Sequence, residues 1–339
     1  MHLRYDTLPS HLDKEQLASL YVLSGDEQLL LLEAADLIRK TARKNHIGER
    51  EIMTVERGFK WGQLHAANNA LSLFGDRKLI ELRIPGGRPG KDGSQALQEY
   101  VSELNPDNVT LITLPKLDWT TQKSAWVGTL QKNGIYIEVP SIDLPKLGGW
   151  IASRLKKQNQ TASQPCIDFL VERVEGNLLA AHQEIQKLGL LYPEGELDFE
   201  QIKNSVLNVA RYDIFKLNEA MLSGNRSRFI RMMDGLKGEG EPLPLVLWTF
   251  TDEIRTLLKC KTALENGQSF PAIAKTLRLR GQKEKLVQTA VNRLGKKEIQ
   301  AAMQQTAQID KIIKGLRSES WMDDAWDALT QLGLSLART

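Results

Sequence analysis

Five short β-rich runs, each separated from the next by a helix-like stretch, fill the first 140 residues and constrain the fold more than any other feature. They are Leu20–Ser24, Glu51–Val55, Leu79–Ile84, Val109–Leu114 and Ile135–Val139. Such alternation predicts an open, mostly parallel sheet covered by helices. Gln28–Arg43, with Leu30, Ala34, Leu37 and Ile38 at helical spacing, is expected to supply part of the covering layer. After Pro140 the strand signal disappears. Leu144–Leu207 reads as three or four short helices, broken near Gln160-Thr161-Ala162-Ser163 and at Tyr192-Pro193-Glu194-Gly195. From about Tyr212 the pattern is again helical, with long segments at Leu243–Leu264 and Lys296–Lys314 and interruptions at Gly238-Glu239-Gly240 and Gly267-Gln268. The expectation is an α/β segment over residues 1–140, a small helical segment over 141–210 and an all-α segment over 211–339.

The length, 339 residues, exceeds what one hydrophobic core supports. No apolar run approaches the ~18 residues of a membrane span. Met1–Asp6 lacks the apolar stretch and cleavage site of a secretory signal, so a cytoplasmic protein is expected. Cys166 and Cys260 are far apart with no Cys-x-x-Cys spacing, which fits a reducing compartment and two structural thiols. The net charge of +3 is too small to announce a nucleic-acid binder, but it is unevenly spread. Pro271–Arg317 carries eleven Lys or Arg against three acids, whereas Ser318–Thr339 carries four acids against Arg338.

A search for chemistry returns little. A phosphate site would follow the first strand, where a glycine-rich loop opens a helix. That junction is Ser24-Gly25-Asp26-Glu27, with one glycine, no lysine and two carboxylates that suit a helix N-terminus and would repel a triphosphate. Gly86-Gly87-Arg88-Pro89-Gly90-Lys91-Asp92 resembles a phosphate loop only superficially: its glycine interval is one residue short, and Asp92 stands where magnesium needs a hydroxyl. A turn is the expectation there. The histidines, His2, His11, His46, His65 and His182, show no metal-ligand pairing. No Gly-x-Ser-x-Gly elbow appears, and Asp323 and Asp324 are adjacent rather than facing. No catalytic residue, cofactor or metal site is expected.

What remains is the segment Trp61–Arg83, read as a helix ended by Gly75 and followed by a strand. Leu64, Ala67 and Leu71 then form an inward stripe, whereas Leu73 lies about 200° around the helix from Leu71. Both cannot face one core. Leu73 and Phe74 are therefore candidates for an exposed apolar knob, the alternative being cover by a neighbouring helix or loop.

Here the chain resembles a family. Ala70-Leu71-Ser72-Leu73-Phe74-Gly75-Asp76-Arg77, followed by Lys78-Leu79-Ile80-Glu81-Leu82, is similar to the sliding-clamp-binding element of the delta subunit of the bacterial DNA polymerase III clamp loader. Further matches keep the same order: Tyr21–Glu27, Glu175-Gly176-Asn177-Leu178 leading to Ile185–Leu188, Tyr212–Phe215 and Asp310–Gly315. The resemblance implies a three-domain subunit: a degenerate AAA+-like parallel-sheet domain without nucleotide binding, a small helical lid domain, and a C-terminal helical collar domain. It implies that Leu73 and Phe74 plug into a pocket of the ring-shaped beta clamp and favour an opened ring. Ala70, Leu71 and Ser72 would position the plug, and Arg77 would make a rim contact. The implied partners are the clamp, the ATP-hydrolysing loader subunits and delta prime, and primer-template DNA within the loader.

Lys311, Lys314 and Arg317 fall near one helical face and are candidates for proximity to DNA, a solvated face being the alternative. Trp321 is read either as packing in the collar or as stacking on a base. Two rivals stay open: a delta-prime-like subunit, disfavoured by the absence of a zinc-type cysteine cluster and of Ser-Arg-Cys, and a nucleic-acid-processing enzyme, disfavoured by the absence of a catalytic constellation.

Overall fold

A computed structural model describes residues 1–13, 17–70, 77–206, 213–316 and 324–338. The chain divides into two compact units, Met1–Val171 with Leu178–Ser205, and Glu172–Asn177 with Val206–Thr339.

Unit 1 is built on a six-stranded parallel sheet of β1 (His2–Arg4), β2 (Leu20–Ser24), β3 (Glu49–Thr54), β4 (Lys78–Arg83), β5 (Val109–Leu114) and β6 (Ile135–Glu138). Their spatial order is β1-β6-β2-β5-β4-β3. The expected runs all form strands, and β2 to β6 taken alone have the 5-1-4-3-2 order of an AAA+-like sheet. All five residues of β2 are buried, as the middle of a sheet covered on both faces requires. Edge strand β3 shows mixed burial instead and starts two residues before the expected run, at Glu49.

Helices α1 (Leu8–Leu12), α2 (Gln28–Lys44), α3 (Gly62–Asn69), α4 (Gly90–Ser102), α5 (Trp119–Gln122) and α6 (Ala125–Asn133) fill the connections. Along α2, Leu29, Leu30, Ala34, Ala35, Ile38 and Ala42 are buried. Leu37 is not part of that buried stripe, being 38% exposed. The core under α3, α4 and α6 gathers Leu64, Ile80, Leu82, Leu97, Tyr100, Ile112, Val127 and Tyr136.

Beyond the sheet, unit 1 contains α7 (Leu144–Lys156), the start of α8 (Gln164–Val174), α9 (Leu178–Leu191) and α10 (Phe199–Ser205). The expectation that strands cease after Pro140 is corrected. The breaks at Gln160 and Gly195 are themselves two short parallel strands, β7 (Gln160–Ala162) and β8 (Gly195–Leu197). Each has three residues, too few to display a period.

The described part of unit 2 includes α11 (Ile214–Leu222), α12 (Arg226–Glu239), α13 (Leu243–Glu265), α14 (Phe270–Thr276), α15 (Gln282–Arg293), α16 (Lys296–Ile313) and α17 (Ala325–Leu336). Phe229, Phe250, Ile254, Leu257, Ile299, Ile309 and Leu332 are among its core residues. Gly240 takes the left-handed conformation (φ 74°) that ends α12. Gly333 packs so tightly on Phe229 that an added Cβ would overlap its ring.

Candidate functional site

Of the sequence-derived element, Ala70 and Arg77 are described, and Leu71, Ser72, Leu73, Phe74, Gly75 and Asp76 lie outside the described residues. What can be built is the frame that holds both ends of this segment. Leu64 and Ala67 are buried on α3 as expected. The helix, however, stops at Asn69, and Ala70 is already extended (φ −67°, ψ 123°), its N–H donating to Ala66 O at 2.8 Å. The expectation of one continuous helix from Trp61 to Gly75 is thus corrected at Ala70. The stop combines the low helix preference of Asn68 and Asn69 with bonds from Asn68 to Glu103, Asn105 and Asn108, far away in sequence.

Three asparagines form the frame. Asn68, 1% exposed, accepts the Asn105 N–H through Oδ1 at 3.2 Å and donates through Nδ2 to Glu103 O at 2.8 Å. Asn108, 5% exposed, donates through Nδ2 to Asn68 O at 3.1 Å and accepts the Lys78 N–H through Oδ1 at 3.1 Å. One amide therefore ties a carbonyl at the end of α3 to the first N–H of β4. Both belong to groups that helix and strand ends leave unpaired. Arg77 completes the frame, donating from Nε to Asp107 O at 2.6 Å and from Nη2 to Pro106 O at 3.4 Å. Arg77, read from sequence as a rim contact, is bonded to the loop before β5. Asn108→Ala is expected to lower unfolding free energy by about 1–3 kcal/mol, because two buried partners lose their bonds. Urea denaturation would measure this, and an unchanged midpoint would remove the frame.

Strand β4 is fixed from the other side by Glu81, 2% exposed. Arg39 of α2 donates to its Oε1 at 2.7 Å and Oε2 at 2.9 Å, and Arg50 of β3 does so at 2.6 and 2.9 Å. Burial alone would raise the Glu81 pKa, but the hydrogen bonds from Arg39 and Arg50 outweigh it and hold the carboxyl below its ordinary value. Neither the asparagine frame nor this carboxylate was singled out from sequence. Asparagines between helix and strand read as loop residues, and Glu81 looks like the polar position of an alternating strand.

The turn after β2 is closed by the protein itself. Gly25 N–H donates to Leu114 O, Ser24 Oγ to Pro115 O, and Val139 N–H to Ser24 O. An added Cβ on Gly25 would sit 2.6 Å from Val139 O. Asp26 accepts the Lys116 N–H at 2.9 Å, and the Glu27 side chain makes no cap bond to α2, so the capping expectation for these carboxylates is corrected. Gly86 and Gly87 form a turn as expected, and Gly90, Lys91 and Asp92 open α4. Among the described residues no cluster of three or more His, Cys, Asp or Glu could hold a metal, and no helix is long and apolar enough to cross a membrane. Cys166 and Cys260 are free and buried.

Lys311 is exposed on the last turn of α16, and Lys314, which follows it, pairs with Asp310 at 2.6 Å. Arg317 and Trp321 lie outside the described residues.

Comparison with known proteins agrees with the sequence resemblance. Residues 21–140 match the family described as "DNA polymerase III, delta subunit", and residues 211–322 match "DNA polymerase III delta subunit, C-terminal domain". DNA polymerase III subunit delta of Escherichia coli (strain K12) is 24% identical over 322 residues, covering 95% of this chain and 92% of that protein. The Haemophilus influenzae subunit delta is 27% identical over 331 residues, covering 94% and 95%. A solved structure of the Bacillus subtilis DNA clamp loader delta protein, 22% identical, aligns with TM-score 0.53 over 98% of this chain and 99% of that one, a likeness of fold. Taken with the shared order of motifs from Tyr21 to Gly315, the two family matches place both the sheet-bearing and the helical part of the sequence: the chain belongs to the DNA polymerase III delta subunit family.

Proposed function

We propose that the chain is the non-catalytic delta subunit of a replicative clamp loader, which binds the sliding clamp through Leu73 and Phe74 and favours opening of the ring. The observation that carries this reading is the frame around residues 71–76. Asn108 ties the end of α3 to the start of β4, and Arg77 anchors the strand side. The frame fixes where the chain enters and leaves this segment, so its two flanks need no ordering on binding. Residues 21–140, which match the family, contain it.

In mechanism the subunit needs no catalytic residue. Preferential affinity for the opened ring shifts the clamp's conformational equilibrium. The self-satisfied turn after β2 fits a subunit that leaves ATP to its partners. Residues 1–140 are read as the clamp-binding module, 141–210 as the small helical module and 211–339 as the collar that joins the loader ATPase subunits and delta prime.

The test uses purified chain without ATP. It should accelerate release of a clamp preloaded on nicked circular DNA, and release at the spontaneous rate would end the proposal. ATP or nucleic-acid turnover by the pure chain would favour an enzyme instead.

Lys311, Lys314 and Arg317 are proposed to approach primer-template DNA in the assembled loader. Lys311→Ala/Lys314→Ala is expected to reduce the slope of log affinity against log salt by roughly 1–2. The Lys314–Asp310 pair favours the lower figure, because that charge is already partly compensated. An unchanged slope would assign these lysines to a solvated face.

A further inference from the structure

Helix α2 carries an apolar side chain that its buried stripe does not use. Glu33, Leu37 and Lys40 follow one another at helical spacing and share a face apart from Leu30, Ala34 and Ile38. That face lines a cavity of about 520 Å³ in unit 1, together with Tyr5, Pro9 and the end of α7 at Arg154 and Lys157. Leu37 and Pro9 are both exposed, so the cavity has an accessible apolar wall.

The charges around it are unevenly matched. Each carboxylate of the lining is held by an arginine: Glu33 by both terminal nitrogens of Arg154 at 2.6 Å, Asp36 by Arg39 at 2.6 Å and Asp6 by Arg4 at 2.6 Å. Lys40 and Lys157, exposed on α2 and at the end of α7, make no ion pair among the described residues. Tyr5 adds surface rather than charge. Burial pushes its pKa up to about 12, and its hydroxyl donates to Leu30 O at 3.2 Å.

An anion alone would leave Leu37 and Pro9 in water, and an apolar group alone would leave both ammonium groups unmatched. A nucleic-acid strand fits poorly, because its unbroken row of phosphates would pass the exposed carboxylates of Asp6 and Asp36. A polypeptide can carry a carboxylate and an apolar side chain within one or two residues, which meets both demands. We propose that this groove receives an acidic segment of a partner polypeptide in which leucine or phenylalanine stands beside glutamate or aspartate. The inference rests on reading the chain as a subunit of an assembly, but not on the assignment of Leu73 and Phe74.

The test titrates the full chain into a fluorescein-labelled hexapeptide that alternates glutamate and leucine, with anisotropy as the readout. Its glutamine-for-glutamate and alanine-for-leucine counterparts and a labelled hexathymidylate serve as comparisons. The parent peptide should bind at least roughly tenfold more tightly than any of the three. Lys40→Gln/Lys157→Gln should weaken it roughly tenfold, the effect of losing two solvent-exposed ion pairs. Leu37→Asn should weaken it several-fold. All three positions are exposed, and circular dichroism checks that the variants fold. No saturable binding, equal binding of either altered peptide, tighter binding of hexathymidylate, or unchanged affinity in both variants would overturn the proposal. Clamp binding by the lysine variant should equal that of the unaltered chain. A chain that binds the peptide but not the clamp would sink the clamp reading and leave this one standing, and the reverse result would sink this one alone.

Discussion

Replacing Leu73 and Phe74 together by alanine should weaken binding of the isolated chain to the ring-shaped clamp by roughly two to four orders of magnitude. The figure follows from about 1.5–3 kcal/mol of transfer free energy for each apolar side chain seated in a pocket. Each single variant should fall between the double variant and the parent. Folding stability should barely change, because the frame that holds the segment is made by Asn68, Asn105, Asn108 and Arg77. Surface plasmon resonance paired with urea denaturation separates the two effects. Unchanged affinity in a folded double variant would refute the site. Asn108→Ala supplies the converse case, in which stability falls and clamp binding weakens because its presentation is lost.

The second large effect is expected at Glu81. Glu81→Ala removes a carboxylate that receives four hydrogen bonds from two arginines, leaving Arg39 largely buried without its main partner. The expected loss is about 3–5 kcal/mol, the range for breaking a buried ion pair from one side. Arg50 is more exposed and can rehydrate, which favours the lower end. The pH dependence has a definite sign. The folded pKa of Glu81 is depressed, so its contribution is present above the ordinary carboxylate pKa and is lost as pH falls through the folded value. The stability gap between parent and variant should therefore be constant near neutrality and shrink in acid. A gap that stayed constant into strong acid would show that the carboxylate charge is not what matters.

The sheet was readable from sequence because its central strands are buried on both faces and must be apolar along their length, as Leu20–Ser24 and Val109–Leu114 are. β1 escaped notice because His2-Leu3-Arg4 is short and polar, and its place is set only by pairing with Ile137 and its neighbours. β7 and β8 escaped for the same reason. The helix through Trp61 was drawn too long because Gly75 looked like the stop signal. The actual stop is Asn68 and Asn69, whose effect depends on Asn105 and Asn108, far away in sequence. Helical spacing marked Leu73 and Phe74 as candidates for an exposed knob, and the ordered set of motifs is what named them as the plug.

The strand order carries a consequence for synthesis on the ribosome. β6 lies between β1 and β2, so the first two strands to emerge are not neighbours and wait for the last one to slide between them. Until Ile135–Glu138 has been translated and released, β2 has an open flank on that side and β1 has no sheet to join. Unpaired strand edges in a half-made chain invite pairing with other chains. Nascent chains arrested before Ile135 should therefore be the aggregation-prone species and the ones that call on chaperones. Release of β6 would then complete the sheet in one late step.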